Sequence, residues 1–220
     1  MRIIYEDKDI LACHKPAGLA TQTARVGERD LYSEAKNHVG GAYIGIINRL
    51  DQPVEGIVLL AKNTGAATAL EAMLKNGEIS KYYRARVYIG DALEKDPESY
   101  RGKSGRVSLT DYMKKDPKSN LSRICDKAEP GAKRASLEYE VCEVKDKEAL
   151  LNIRLLTGRH HQIRLQLSNA GIPILGDGKY ASEKSRDYSR SVGIRVIQLC
   201  ACKMVFKHPI SGKELELVID

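Results

Sequence analysis

Short apolar stretches with strand-like patterns recur along the chain and predict a protein dominated by strands. Residues 56–62, GIVLLAK, form a nearly continuous apolar run of strand length, which is typical of a strand covered on both faces of its sheet. Residues 80–90, SKYYRARVYIG, alternate between apolar and polar positions as a half-buried strand does. At the amino-terminal end, residues 2–19 predict two short strands around the acidic turn EDKD, followed by a loop.

Three other stretches have the spacing and the end signals of helices. Residues 63–77 place apolar side chains at helical intervals, with Asn63 or Thr64 as the N-cap and glycine as the stop. Residues 30–41, DLYSEAKNHVGG, predict a short helix that begins after Asp30. Residues 157–171, TGRHHQIRLQLSNAG, predict a helix capped by Thr157 and closed by glycine.

The remaining stretches decide the fold class. Residues 91–135 are rich in Lys, Asp, Ser, Gly and Pro, and they predict irregular loops with brief strands. Residues 134–156 predict two strands joined by the charged turn KDKE, and residues 194–219 predict two more around a turn at 208–212. We find no internal repeat and therefore expect one mixed α+β domain over residues 1–220.

Charge and cysteine content narrow the functional classes. The 220 residues include 36 Lys and Arg against 29 Asp and Glu, a net charge of +7 that suits a polyanionic partner without requiring one. The five cysteines include no Cys-x-x-Cys pair, and the amino-terminal end has neither a secretory signal nor a long apolar span. We therefore expect reduced thiols, a cytoplasmic location and no membrane partner.

The stretch RLDQPVEG, residues 49–56, is the first candidate for chemistry. An acid before a strand commonly bonds local backbone amides, and this is one interpretation of Asp51. Arg49 offers another, because alternate residues of an extended chain share a face and a paired carboxylate stays ionised. An ionised carboxylate suits a nucleophile. A two-carboxylate glycosidase site with Glu55 is an alternative, although the spacing does not require the two acids to converge.

A second candidate is the polar cluster at residues 159–164, which contains Arg159, His160, His161, Gln162 and Arg164. It is either the polar face of a helix or a surface whose guanidinium groups grip phosphate or carboxylate. The two histidines have no acidic third ligand at a useful spacing, so the pattern does not predict a metal site.

Two basic stretches are ambiguous. Residues 178–190, GKYASEKSRDYSR, mix cations with tyrosines, as a single-stranded nucleic-acid surface does, and so does a solvated basic loop. Residues 101–106, RGKSGR, allow the same two interpretations. The chain has neither G-x-G-x-x-G nor G-x-x-x-x-G-K-[ST], so no motif anchors a nucleotide cofactor.

Six stretches together resemble the pseudouridine synthases of the RluA family, in the order that the family has, and the resemblance runs from residue 3 to the end. They are HKPAGL (14–19), NRLDQPVEGIVLLAKN (48–63), KYYRARV (81–87), LLTGRHHQIRLQL (155–167), GIPILGD (171–177) and FKHPISG (206–212). The resemblance implies an RNA uridine isomerase with a mixed, largely antiparallel, bent sheet flanked by helices and loops. It implies ribosomal or transfer RNA as the substrate and no metal or organic cofactor.

The resemblance also implies a role for each matching residue. Asp51 matches the nucleophilic aspartate, and Arg164 matches the arginine that pairs with it. Tyr83 matches the tyrosine that packs on the target base, and Arg49 the arginine that enters the RNA stack in place of the flipped nucleotide. Leu167 lies where an apolar residue lines the pocket. Further RNA or base contacts are expected from four residues, Lys15, Arg159, His161 and Gln162.

The chain departs from the family pattern at several positions. Asn48 and Cys200 stand where histidine is common, and Pro53, Val54 and Glu55 replace a hydroxyl-rich turn. The pattern starts near residue 3, so we expect no amino-terminal RNA-binding module and a monomer that recognises RNA through loops 91–135 and 178–192.

Two alternatives to the isomerase stay open. One is a catalytically inactive RNA-binding protein that aids RNA folding on the same fold. The other is an N-glycosidase, which would release free base.

Overall fold

The computed structural model describes residues 1–23, 25, 27–95 and 105–219. Its strands are β1 Arg2–Glu6, β2 Ile10–Lys15, β3 Gly45–Ile46, β4 Glu55–Ala61, β5 Ser80–Tyr88, β6 Val107–Asp116, β7 Leu121–Ile124, β8 Lys133–Lys145, β9 Glu148–Leu155, β10 Leu199–Lys207 and β11 Glu214–Val218. Its helices are α1 Leu31–His38, α2 Thr64–Asn76, α3 Gly90–Lys95, α4 Gln162–Asn169 and α5 Glu183–Ser191. The class is α+β with largely antiparallel pairing, as predicted.

The chain divides into two compact units, and the division falls within β5 and near the start of β10. Residues 1–81 and those from 200 onward form unit 1, and residues 82–199 form unit 2. The expectation of a single domain over the whole chain stays a prediction. In the part of the chain that the structure describes, no helix combines the length and the apolar composition that crossing a membrane requires.

Unit 1 is built around β4, the apolar run that the sequence predicts as a buried strand. β4 pairs antiparallel with β2 on one side and parallel with β10 on the other, and residues 56–61 are all buried. β1 continues the sheet beyond β2, and β11 pairs with β10. Fifteen buried residues form its core: Ile10, Ala12, Ile47, Ile57, Leu59, Ala61, Ala66, Ala67, Leu70, Ile79, Cys202, Met204, Phe206, Leu217 and Ile219.

Gly56 permits the close approach of β4 and β10. Its φ of 134° lies in a region that residues with a side chain rarely adopt. A Cβ atom at this position would lie 2.5 Å from both the backbone nitrogen and the carbonyl oxygen of Ala201. The strand that follows the Asp51 loop is therefore held against β10 only because residue 56 has no side chain.

The two predicted helices of unit 1 have the predicted caps. The Asp30 carboxylate accepts a hydrogen bond from the Ser33 amide at the start of α1. The Asn63 side chain accepts from the Ala66 amide at the start of α2, and Gly77, in the left-handed conformation, ends that helix.

Unit 2 is a sheet with the strand order β5-β9-β8-β6-β7. β6, β7, β8 and β9 are joined by antiparallel pairing, and the predicted turn between β8 and β9 is confirmed, with Lys145 opposite Glu148. Alternate residues of β9 are buried, so one face of this strand lies against the core of the unit.

Three predictions for unit 2 are wrong. Residues 107–116 form a ten-residue strand, where irregular loops with brief strands were expected; β8, at residues 133–145, agrees with the strand predicted from residue 134. Residues 183–191 form α5, capped by Ser182, within the stretch interpreted as a basic loop. Helix α4 begins at Gln162 and not after Thr157. Of the basic run 101–106, residues 101–104 lie outside the described residues.

Candidate functional site

Asp51 lies on the loop between β3 and β4 of unit 1, in a fixed backbone. The preceding residue, Leu50, is buried and makes two hydrogen bonds with the Thr21 hydroxyl, at 3.0 and 3.1 Å. The Val54 amide donates to the Asp51 carbonyl oxygen at 3.0 Å, which closes a turn. The Asp51 side chain is half-buried, so the carboxylate lies on a rigid loop and retains access to solvent.

Lys15 supports this loop from inside unit 1. Its side chain is completely buried, and its ammonium group donates to the carbonyl oxygens of Pro16, Leu19 and Gln52 at 3.1, 2.7 and 3.1 Å. Burial lowers the pKa of Lys15 to about 8, although the nearby Asp51 carboxylate opposes that shift. The predicted RNA contact does not fit this placement, because an ammonium has three protons and all three have carbonyl partners.

Asn48, one of the departures from the family pattern, fixes the start of the same loop. Its side-chain amide accepts from the Leu59 amide at 2.7 Å and donates to the Ile57 carbonyl oxygen at 3.2 Å. These are the two kinds of bond that a peptide group of a neighbouring strand would make with β4. Asn48 therefore extends the pairing between β3 and β4 with its side chain.

The other charged residues of the loop differ in exposure. The Arg49 side chain is exposed, as a residue that contacts RNA must be. Glu55 lies 3.6 Å from the His14 imidazole and is part-exposed. Glu55 therefore has a cationic partner of its own when His14 is protonated.

The polar cluster at residues 159–164 forms a loop and the first turn of α4 in unit 2. Gln162 is buried: its side-chain oxygen accepts from the Thr157 hydroxyl and the Arg159 amide, and its nitrogen donates to the Ser136 carbonyl oxygen. The predicted RNA contact of Gln162 does not fit this buried position, because the side chain ties the loop to β8. The helix starts late because Thr157 bonds this glutamine and Ser136, not a helix amide.

His161 immediately precedes α4, as its N-cap, and has an unusual backbone. Its φ of 55° is in the left-handed region, which is uncommon for a residue other than glycine, and its ring stacks on that of His160 at 3.7 Å. Both histidines therefore lie before the helix and face each other, whereas the sequence predicted a helix that separates them. Arg159 is exposed, and its Nε donates to the Arg134 carbonyl oxygen, so its terminal nitrogens extend from a fixed stem.

Arg164 forms a buried ion pair with Asp177. Its Nε and Nη2 atoms donate to the two carboxylate oxygens at 2.8 and 2.7 Å, and both side chains are almost fully buried. Burial raises the pKa of Asp177, but the bonds from Arg164 and two backbone amides outweigh it and keep that pKa below its ordinary value. The predicted pairing of Arg164 with Asp51 stays a prediction.

Tyr180 links the elements around this ion pair, whereas the sequence interpretation considered its ring only as part of a possible nucleic-acid surface. The Arg164 guanidinium lies 5.3 Å from the centre of the Tyr180 ring, within the range of a cation–π contact. The Tyr180 oxygen accepts from the Ser122 amide and lies 2.8 Å from His161 Nδ1. Strand β7 and the start of α4 are therefore both held by one phenol.

Two predicted pocket residues of unit 2 lie in buried positions. Tyr83 is 7 % exposed on β5, and Leu167 is completely buried on α4. Asp177 was the missed residue that the sequence could have revealed, since it ends the stretch GIPILGD that carries the family resemblance.

One group in the described residues has the composition of a metal site, namely Asp7, Asp9 and His208, with ligand atoms within 4.8 Å of one another. The His208 Nδ1 atom accepts from the amides of Ile210 and Ser211, which places the ring proton on Nε2. Nε2 lies 2.9 Å from the Asp7 carboxylate. A protonated nitrogen is not a metal ligand, so this group fits a neutral imidazole whose Nε2 proton faces a carboxylate, and not a cation site.

Comparisons with known proteins give a family match and several relatives. Residues 9–169 match the family model described as RNA pseudouridylate synthase, and this range contains Asp51, Tyr83 and Arg164. The chain is 28% identical to ribosomal large subunit pseudouridine synthase D of Zymomonas mobilis, over 98% of this chain and 68% of that protein. It is 30% identical to ribosomal large subunit pseudouridine synthase C of Rickettsia bellii, over 98% of this chain and 66% of that protein.

Solved structures give the same fold. The human RNA pseudouridylate synthase domain containing 1 protein has a TM-score of 0.75 at 19% identity, and the match covers 100% of this chain and 82% of that one. The domain containing 4 protein has a TM-score of 0.73 at 20% identity, with 100% and 88% covered. The chain spans about two thirds of the length of the curated relatives that it matches.

Proposed function

Because the chain belongs to the RNA pseudouridylate synthase family, whose members are isomerases that act on RNA, we propose that it converts uridine to pseudouridine in large-subunit ribosomal RNA. The names of the two bacterial relatives, both ribosomal large subunit pseudouridine synthases, support ribosomal RNA as the substrate. A net charge of +7 is consistent with a polyanionic partner. A cytoplasmic location and a monomer stay predictions.

The observation that carries this proposal is that Asp51 combines a fixed backbone with a partly exposed carboxylate. Its backbone is fixed by buried neighbours, its carboxylate is half-exposed, and it lies in the matched range of the family model. A nucleophile needs a defined position together with access to the substrate, and Asp51 has both.

The proposed reaction needs no external oxidant or reductant. The bond between N1 of uracil and C1′ of ribose breaks, the base rotates, and a bond forms between C5 and C1′. The C5 proton leaves to solvent and N1 gains a proton, so the product is an isomer of the substrate. Asp51 acts as the nucleophile, on the ribose or on the base.

The target uridine has to leave its stack before it reacts. Flipping a base costs a few kcal/mol, and contacts to the flipped base and to the gap that it leaves offset this cost. We assign the gap to Arg49, which is exposed, and the base contact to Tyr83; Leu167 is completely buried, so its expected place in the pocket lining stays a prediction. Exclusion of water protects the detached base from loss by hydrolysis.

Arg159 is the favoured phosphate contact of the polar cluster. Its guanidinium is exposed, whereas Lys184 on α5 is partly neutralised by Asp91 and Glu94. Since guanidinium groups bind phosphate in a bidentate manner, a fixed and exposed arginine suits this contact.

The test is a comparison of pseudouridine maps of ribosomal and transfer RNA from cells that express the wild-type chain, the Asp51→Asn variant, or neither. The proposal predicts a large-subunit ribosomal site present only with the wild type. Asp51→Asn is nearly isosteric and should keep its fold and RNA binding while losing all turnover. Glu28→Gln, an exposed change in the same unit, is the matched control and should keep the site.

Each other outcome selects a different interpretation. A site found only in transfer RNA would keep the activity and replace the substrate. A map unchanged by the wild type, with binding to RNA retained, would favour the inactive RNA-binding protein. Release of free uracil would favour the N-glycosidase, since isomerisation releases no base.

A further inference from the structure

The Thr21 hydroxyl fixes both backbone polar groups of the residue before Asp51. It accepts a hydrogen bond from the Leu50 amide at 3.1 Å and donates one to the Leu50 carbonyl oxygen at 3.0 Å. Thr21 is 5% exposed and Leu50 is 7% exposed, so little water can replace these bonds. A hydroxyl has one proton and two lone pairs, which allows a single side chain to make both contacts.

Thr21 is itself anchored to a helix. The Tyr32 amide donates to the Thr21 carbonyl oxygen at 3.0 Å, and the Leu31 amide donates to the Ala20 carbonyl oxygen at 3.0 Å. Both donors belong to the first turn of α1, where a helix has amides without a partner inside the helix. The position of the hydroxyl is therefore set by α1.

The residue after Asp51 is held by a different element. The Gln52 carbonyl oxygen accepts from Lys15 Nζ and from the Gly18 amide at 2.9 Å, and its side-chain nitrogen donates to the Gly18 carbonyl oxygen. The backbone is thus held immediately before and immediately after Asp51, by groups that all lie within residues 15–21 of unit 1.

We propose that Thr21 is a positioning residue for Asp51, which aims the carboxylate by fixing the Leu50 peptide. This rests on the proposed function, in which Asp51 is the nucleophile. Thr21 lies outside the stretches that carry the family resemblance, and it makes its contacts across 29 residues of chain. A displacement of a reacting group by about 1 Å can slow a reaction about 100-fold, so two bonds at the adjacent peptide are placed where they affect the rate most.

A purely structural role of the hydroxyl would give a different result. Loss of two buried hydrogen bonds lowers stability in either case. Only a positioning role lowers kcat at a temperature where the variant is fully folded, while KM for RNA stays the same. It also requires that serine, which keeps the hydroxyl, restores the rate.

The experiment measures tritium release from an unmodified large-subunit ribosomal RNA transcript whose uridines are tritiated at C5. Thr21→Val replaces the hydroxyl by a methyl group of similar size, and Thr21→Ser keeps the hydroxyl. Asn63→Ala removes the cap of α2 in the same unit, a change that lowers stability without touching the Asp51 loop. Thermal unfolding of each variant accompanies the kinetics, and Thr21→Ala takes the place of the valine variant if that variant does not fold.

We expect kcat to fall about 10- to 100-fold in Thr21→Val, with KM within about 2-fold of wild type. Thr21→Ser and Asn63→Ala should keep kcat within about 3-fold. A valine variant with wild-type kcat, a serine variant as slow as valine, or an equal loss in Asn63→Ala would each overturn the positioning role. An inactive wild-type chain would instead overturn the proposed function on which this role rests.

Discussion

The ion pair between Arg164 and Asp177 gives the sharpest prediction for stability. Asp177→Asn keeps the shape of the side chain but removes its charge, and turns an amide donor towards a buried guanidinium. Two hydrogen bonds of 2.7 and 2.8 Å are affected, between side chains that are 4% and 1% exposed. Because the change takes an ionic partner from a buried guanidinium, we expect a loss of about 3–5 kcal/mol in the free energy of unfolding.

The assay is urea denaturation of the wild type and the variant at pH 7, followed by the same measurement at lower pH. Asp187→Asn is the control, since Asp187 also pairs with an arginine but both side chains are largely exposed. An exposed pair contributes little, so the control should unfold almost as the wild type does.

The pH dependence follows from the direction of the shift. The pKa of Asp177 is lower in the folded chain than its ordinary value of 3.8, so the carboxylate adds stability above that value and loses its contribution as the pH falls through the folded pKa. The advantage of the wild type over Asp177→Asn should therefore be constant near neutral pH and shrink below about pH 4. Equal costs for Asp177→Asn and Asp187→Asn would refute the reasoning.

Three further changes test other parts of the structure. Gly56→Ala should cost about 3 kcal/mol or more in urea denaturation, because its Cβ would overlap the Ala201 backbone and its φ disfavours a side chain. Between about pH 8 and pH 10.5 the unfolded wild-type lysine binds more protons than the folded one, so the free energy of unfolding of the wild type rises with pH, by up to about 1.4 kcal/mol per pH unit. Lys15→Met has no such group, and its stability relative to the wild type should therefore fall over the same pH range. Arg159→Gln should weaken RNA binding and reduce the slope of log affinity against log salt by about 0.7.

Matched controls separate these effects from general damage. Gly131→Ala also replaces a glycine of positive φ, but only the end of a lysine side chain lies near its Cβ, at 3.7 Å, so it should cost less than Gly56→Ala. Arg25→Gln removes an exposed cation of unit 1 and should leave the salt slope unchanged. A pH-independent difference between Lys15→Met and wild type would contradict the low pKa of the buried ammonium.

Local signals predicted the elements that they determine. Asn63 and Gly77 mark the ends of α2 because a cap and a stop act within one helical turn, and the run from Gly56 to Ala61 marks β4 because every one of its side chains is buried. The same kind of argument found Asp30 at the start of α1.

Strand β6 and helix α5 were missed because their sequences have few apolar side chains. β6 is held by seven paired positions on β8, from Val107 opposite Tyr139 to Met113 opposite Lys133, and such distant pairing leaves no local pattern. In α5 the buried residues are two serines, Ser185 and Ser189, so no apolar stripe marks the helix.

In the candidate site, too, the sequence revealed residues with a local pattern and missed residues that act through distant contacts. Asp51 was found through the local pattern Arg-Leu-Asp, which carries the family resemblance. The residues that fix its loop were not found, because Thr21 and Lys15 act across 29 and 37 residues of chain. Their roles depend on which segments the fold brings together, and this is information that spacing in the sequence does not contain.

The discontinuous course of unit 1 has a consequence for synthesis of the protein. The strand β4 is complete early, but its parallel neighbour β10 follows only after residues 82–199 have been made. At ordinary rates of translation this delay is on the order of ten seconds. During that time the apolar side chains of unit 1 lack the core partners that β10 and β11 contribute, among them Met204, Phe206 and Leu217, and exposed apolar surface of this kind promotes wrong association. A circular permutant that begins at residue 200 and joins the old ends would shorten this exposure and should raise the soluble yield.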